Sequence, residues 1–168
     1  MHELTKSAFL NRPDLHVETE GEFKGWRTWR RDNFETHTGP FYHRIDDDGR
    51  IRCALRVASR HLNGSGNVHG GCFMSFADYC LFATATPVLR GPGVTVSFAC
   101  EFLDAAREGE LVEGSCEITR AGASLMFLRG MLTSGERRLF SFSGTIKRIR
   151  QRLPLAAGND AEQDLQLF

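Results

Sequence analysis

The apolar positions of this chain follow two periods. From Ile51 to Ala58 they alternate, with Ile51, Cys53, Leu55 and Val57 on one side and Arg52 and Arg56 on the other. Period two predicts a half-buried strand. From Gly71 to about Thr86 they recur every three or four residues, at Phe73, Phe76, Ala77, Cys80 and Ala83. That spacing predicts a helix with an apolar stripe turned to a core. Gly71, Ser75, Asp78 and Phe82 fall on a different face of it. Pro87 and Gly91-Pro92-Gly93 are expected to end the helix. The period then returns to two: Val94, Val96, Phe98, Cys100 and Phe102 alternate with Thr95, Ser97, Ala99 and Glu101.

Turn residues divide the rest. Gly39-Pro40 opens a strand over Phe41–Ile45, and Asp46-Asp47-Asp48-Gly49 is a hairpin turn. The three acids lack the further ligands and the final Glu of a calcium loop. Later strands are expected over Glu110–Thr119, Leu125–Thr133 and Leu139–Ile149, with a turn at Gly135-Glu136. Residues 61–71 form a loop containing four glycines. The predicted order is two strands, one long helix, then four strands. A sheet wrapping a single helix with a wide apolar face gives an α+β fold with an antiparallel sheet on one side. Residues 1–38 read as a polar N-terminal extension in which the Trp26 and Trp29 spacing suits a short helix. Residues 39–150 form the domain, and 151–168 a Gln/Asp-rich tail.

Composition narrows the function classes. The 168 residues are enough for one core, and Lys+Arg and Asp+Glu are equal at 21 each. A net charge of zero gives no reason for bulk binding to nucleic acid or membrane. The five cysteines are odd in number and never spaced as CxxC or a zinc set, so neither disulfides nor a metal site are expected. The sequence shows no leader-like apolar segment and no membrane span, and a cytoplasmic location is expected.

The segment Asn63-x5-His69-Gly70-Gly71-x6-Asp78, followed by Gly93-Val94-Thr95-Val96, resembles the hotdog-fold acyl-CoA thioesterases of the phenylacetate-pathway type. The likeness covers roughly residues 39–149. It implies a hotdog fold, an antiparallel sheet of five to six strands wrapped around one long central helix. It further implies hydrolysis of an acyl-CoA to a free acid and coenzyme A, with no cofactor beyond the coenzyme A of the substrate. By the same likeness Asp78 is the catalytic carboxylate, and Gly70 or Gly71 offers the N–H that polarises the carbonyl. Asn63 and His69 position the thioester, and Thr95 orients water.

The residues carry part of this unaided. Thioester hydrolysis needs a donor for the developing oxyanion and a base or nucleophile for the carbonyl carbon. The first N–H groups of a helix have no intrahelical partner, and glycine at 70 and 71 lets a ligand approach them. A plain turn before a helix is the competing reading. Asp78 sits within Phe76-Ala77-Asp78-Tyr79-Cys80-Leu81-Phe82, where an unpartnered buried acid is costly and a raised pKa is expected. The alternative is an Asp on the polar side of the helix. His69 could simply hold the loop, Thr95 could be an ordinary strand residue, and Asn63 could serve a turn.

Asp78 and Gly71 lie about 10 Å apart along one helix. A carboxylate and its oxyanion donors therefore meet more readily across a two-fold axis, which predicts a homodimer, or a homotetramer built from dimers. Arg90, Arg107, Lys147, Arg148 and Arg150 are available for the phosphates of coenzyme A, and the sequence does not choose among them. Two other readings keep the fold: an acyl-CoA-binding protein without turnover, and a hydratase or dehydratase. The latter's usual His-acid patterns are missing here.

Overall fold

The computed structural model describes residues 15–89 and 91–149. The tail, the first fourteen residues, Arg90 and Arg150 lie outside them. The strands are β1 (Leu15–Val17), β2 (Arg27–Trp29), β3 (Tyr42–Ile45), β4 (Ile51–Arg56), β5 (Gly93–Phe102), β6 (Leu111–Ala121), β7 (Leu125–Ser134) and β8 (Arg137–Arg148). The helices are α1 (Phe34–Thr38) and α2 (Gly70–Leu89), with a 3-10 turn at Ser59–His61. All strands pair antiparallel in one sheet, in the order β1-β2-β3-β4-β6-β7-β8-β5. The chain leaves β4 near one side, crosses the sheet as α2 and returns as β5 at the far edge. This is the expected helix-wrapping sheet.

The sheet has eight strands among the described residues, more than the five to six expected. Strands β3 to β8 make up that expectation, and the two short strands of the N-terminal region add the rest. Trp26 and Trp29, read above as one face of a helix, instead flank and end a strand. Trp26 is 8% exposed and Thr28 4%, with Arg27 between them less buried. Pairing with β1 and β3 supplies the backbone hydrogen bonds that a five- to eight-residue helix would have to make alone. Trp26 packs edge-on against Phe23 and carries the Arg44 guanidinium 4.6 Å above its ring.

The stripe on α2 faces the core as predicted. Phe76, Ala77 and Cys80 are fully buried and Phe73 nearly so, while Ser75, Asp78 and Phe82 are half-buried on the other face. Burying a phenylalanine of this kind contributes roughly 1.5–3 kcal/mol. The helix lies close on the sheet because two sheet positions beneath it have no side chain. A Cβ at Gly114 would strike Cys80 Sγ, and one at Gly144 would strike Leu81 Cδ1. By length and composition α2 would also pass for a membrane span, contrary to the sequence reading, but ten of its residues are buried under the sheet.

Pro87 does not end the helix, which runs on to Leu89. The proline withholds only one hydrogen bond, near an end where carbonyls already lack partners. Arg148 takes up that end: its Nη1 donates to the Val88 carbonyl at 2.7 Å and to the Leu89 carbonyl. All five cysteines are free, and Cys53, Cys72 and Cys80 are buried.

Candidate active site

Asp78 projects from the middle of α2 toward β5. Thr95 Oγ1 donates to Asp78 Oδ1 at 2.6 Å. The contact depends on an irregularity in β5. Thr95 pairs with Ile146, but Ser97 pairs with Thr145 and Phe98 with Gly144, so Val96 is an extra residue in the strand. Such a bulge reverses the alternation. Paired residues share a face, and Ile146, Gly144 and Phe142 all face the helix. Thr95 therefore faces inward before the bulge, and Phe98 and Cys100 face inward after it. Val94 and Val96 are 44% and 51% exposed. A uniform period of two had put Thr95 and Phe98 on opposite faces.

Burial pushes the Asp78 carboxyl above its usual range, and the Thr95 hydroxyl holds it partly back. The group opens into a cavity of about 500 Å³. Trp29, Phe34, Phe41, Phe82 and Phe98 wall it, and Glu35, Tyr79 and Ser75 join Asp78 and Thr95 as its polar members. Tyr79 is anchored behind by a 2.6 Å hydrogen bond to Nδ1 of the buried His43, whose pKa burial lowers to about 4. A larger depression of about 780 Å³ lies on the outer face of the sheet, over Ser115 and Ser143. Its acids Glu101 and Glu117 are already taken by Ser141 and Arg129.

The other predicted residues gather at the start of α2. Asn63 Oδ1 accepts from the Ser65 N–H at 2.9 Å and the Asn67 N–H at 3.3 Å, which folds the glycine loop on itself. His69 caps the helix. Its Nδ1 accepts from the Gly71 N–H at 2.9 Å, and its carbonyl accepts from Cys72 at 2.8 Å. The Gly70 N–H donates to no partner among the described residues. A Cβ on Gly70 would lie 2.9 Å from Phe102 Cε1, so the phenylalanine ring rests on the glycine.

The chain thus brings Asp78 and Thr95 together, and separately brings Asn63, His69, Gly70 and Gly71 together. Gly70 and Asp78 are eight residues apart on one helix, about 12 Å along its axis. Of the candidate cations, Arg148 is engaged at the helix end and with the Gly122 carbonyl. Arg107 and Lys147 are exposed, with their backbones paired to Asn67 and Leu125 respectively.

Sequence reasoning missed Glu35, Tyr79 and the cavity walls Trp29 and Phe41. Glu35 and Trp29 stand in the region read as an extension, where the spacing of Trp26 and Trp29 suggested a short helix and not a site. Tyr79 and His43 are 36 positions apart, and no local pattern links them.

The thioesterase superfamily model matches residues 65–141. A Pseudomonas aeruginosa protein provisionally named an esterase is 34% identical over 110 residues, 63% of this chain and 81% of that protein. Human acyl-coenzyme A thioesterase 13 is 27% identical over 103 residues, 61% of this chain and 74% of that protein. Among solved structures, a mutant of the phenylacetic acid degradation protein PaaI from Thermus thermophilus superposes with a TM-score of 0.62 at 24% identity. It covers 70% of this chain and 100% of its own. On the match to the family model and the identity shared with the Pseudomonas protein, the chain belongs to the thioesterase superfamily and is a thioester hydrolase.

Proposed function

We propose that the protein hydrolyses acyl-CoA thioesters, with Asp78 as the general base. The observation that carries this reading is the carboxylate itself: half-buried, held by Thr95, and opening into an aromatic-walled cavity. A carboxyl raised above its usual range is a stronger base than a free one. In the reaction, water gives a proton to Asp78 as its oxygen bonds to the thioester carbon. The tetrahedral intermediate then expels coenzyme A thiolate, which takes up that proton, leaving the free acid. Thr95 fixes the carboxylate, and through it the water. The aromatic cavity takes the acyl group, for which Phe82 and Phe98 are available. Phe73 and Phe76 belong to the core instead.

The oxyanion donor is the Gly70 N–H, since His69 occupies that of Gly71. Its distance from Asp78 along the helix supports a site shared by two subunits, with Gly70 of one facing Asp78 of the other. The protein then works as a homodimer, or as a homotetramer of two such dimers. The relative named acyl-coenzyme A thioesterase supports coenzyme A as the leaving group. A cytoplasmic location and the absence of any added cofactor complete the reading.

A panel of aryl-, short-, medium- and long-chain acyl-CoAs, with a thiol-detecting reagent, tests the function. Release of coenzyme A from at least one member, lost in Asp78→Asn, is the expected result. Binding without release across the panel would turn the reading to an acyl-CoA-binding protein.

A further inference from the structure

The N-terminal region, outside the family match, lays a second acid into the Asp78 cavity. Glu35 belongs to α1, and both ends of that short helix are tied down. At its start Asn33 Oδ1 accepts from the Thr36 N–H at 3.1 Å. Past its end the Gly39 carbonyl accepts from Arg60 Nη2 at 2.6 Å and lies 3.2 Å from Nε2 of the buried His61. These contacts join α1 to the 3-10 turn after β4, so α1 is a fixed wall of the cavity. Phe34 and Glu35 line it together with Asp78. Glu35 is half-buried, and its carboxylate accepts no hydrogen bond among the described residues. The hydrolysis derived above makes no use of it.

Two carboxyls on one apolar-walled cavity ionise in sequence, because the second charge must form beside the first. We propose that Glu35 and Asp78 work as a pair carrying one proton: Asp78 ionised as the base, Glu35 protonated, so that the cavity holds a single negative charge. The proposal rests on the reading of Asp78 as base.

The surroundings order the two ionisations. Burial raises both groups. The charge of Asp78 raises Glu35 further, whereas the Thr95 hydroxyl stabilises ionised Asp78. The 2.6 Å hydrogen bond from Thr95 therefore marks Asp78 as the member that carries the charge. Different environments imposed on neighbouring carboxyls divide the acid and base roles between them. The other groups facing the pair come from three elements. Arg31, before α1, favours ionised Glu35 and opposes the effect of burial. Tyr79 and Cys80 on α2 are both pushed well up by burial and stay uncharged. His43 of β3, behind Tyr79, is held neutral. Glu35 acts through Asp78 and is a positioning residue: its proton keeps a second charge away from the carbonyl oxygen while that oxygen becomes negative.

The test is the pH dependence of kcat/KM between pH 4 and 9, on any acyl-CoA the protein hydrolyses, for wild type, Glu35→Gln and Glu35→Asp. The wild type should rise as Asp78 ionises and fall as Glu35 loses its proton. Glu35→Gln should lose the alkaline fall and reach a plateau, with its acidic limb unmoved or shifted to lower pH. Glu35→Asp should keep both limbs. An alkaline limb unchanged in Glu35→Gln overturns the proposal, and a uniform loss at every pH marks a merely structural role. A second measurement is independent of turnover. In Asp78→Asn, the carboxyl carbon resonance of Glu35, followed by NMR, should titrate at lower pH than in wild type; no movement overturns the pair. Asp78→Asn also separates the two readings. If it retains full activity, the base assignment fails. If it is inactive while Glu35→Gln keeps the wild-type profile, the base assignment stands and the pair falls.

Discussion

The helix start around Gly70 and the middle of the same helix around Asp78 use polar groups in opposite ways. At the start, side chains turn back onto backbone: Asn63 onto its own loop, His69 onto Gly71, leaving the Gly70 N–H without a partner among the described residues. Every hydrogen bond there stabilises local geometry, in a setting mostly open to solvent. At the middle, a carboxylate is drawn half out of water and given one hydroxyl partner. The first region presents a donor in a rigid frame. The second keeps an acid in an environment that disfavours its charge. One offers positive polarity and the other a base, and a thioester needs both.

Mixed subunits give the largest expected effect and the sharpest test of that comparison. Asp78→Asn should lower kcat/KM by about a thousandfold, the scale of a lost general base. Gly70→Val, whose side chain must displace the Phe102 ring, should lower it by about a hundredfold, the scale of a lost oxyanion donor. If the two regions meet across a dimer, co-refolding the variants in equal amounts should restore about a quarter of wild-type activity: half the dimers are mixed, and each has one intact site of two. Activity no higher than the separate variants would break the shared-site model.

Thr95→Ala comes next. It removes the hydroxyl held against Asp78, a charged hydrogen bond of about 1.5–3 kcal/mol, and should cost about tenfold in kcat/KM or more. The acidic limb of the pH profile should also move up. Thr95→Ser should retain most of the rate. His69→Ala should show a smaller effect of a different kind. The lost helix cap should lower unfolding stability by about 1 kcal/mol, read by urea titration.

The last contrast is in stability. The Asp78 carboxyl is raised in the folded protein, so it favours folding while protonated. That contribution is complete below the ordinary carboxylate range, about pH 4, and is lost as pH rises through the folded-state value. Asp78→Asn should therefore have the higher Tm at pH 8, a gain that vanishes near pH 4. His69→Ala should show no comparable dependence arising from Asp78. A lower Tm for Asp78→Asn at pH 8 would mean that the carboxylate is stabilising where it sits.

Much of the architecture was legible because long elements repeat their pattern. The stripe through Phe73, Phe76, Ala77, Cys80 and Ala83 identified the central helix, and the alternation at Cys53, Leu55 and Val57 identified β4. Failures came where one residue changed the rule. Val96 reverses the parity of β5, and nothing in Val94-Thr95-Val96-Ser97-Phe98 announces it. Pro87 looked like a terminator, but it costs one hydrogen bond near the end of the helix, and the last carbonyls, of Val88 and Leu89, are taken up by Arg148 from a distant strand. Trp26 and Trp29 suggested a helical face because the pairing of β2 with β1 and β3 leaves no mark in its own short sequence. The candidate site was legible as separate residues joined by a family resemblance. The Asp78–Thr95 contact and the presence of Glu35 depend on tertiary placement alone.

The extra residue at Val96 has a consequence for handling the protein. Strand β5 ends the sheet, with no neighbour beyond it among the described residues, and it carries Val94 and Val96 outward and Phe102 uncovered at its far end. Turning Thr95 inward has turned two valines toward solvent on a strand with open backbone. Such an edge invites non-native strand addition during refolding or concentration. Losses to aggregation are expected to begin there, and a charged residue at position 96 is the simplest substitution to suppress them while leaving the orientation of Thr95 in place.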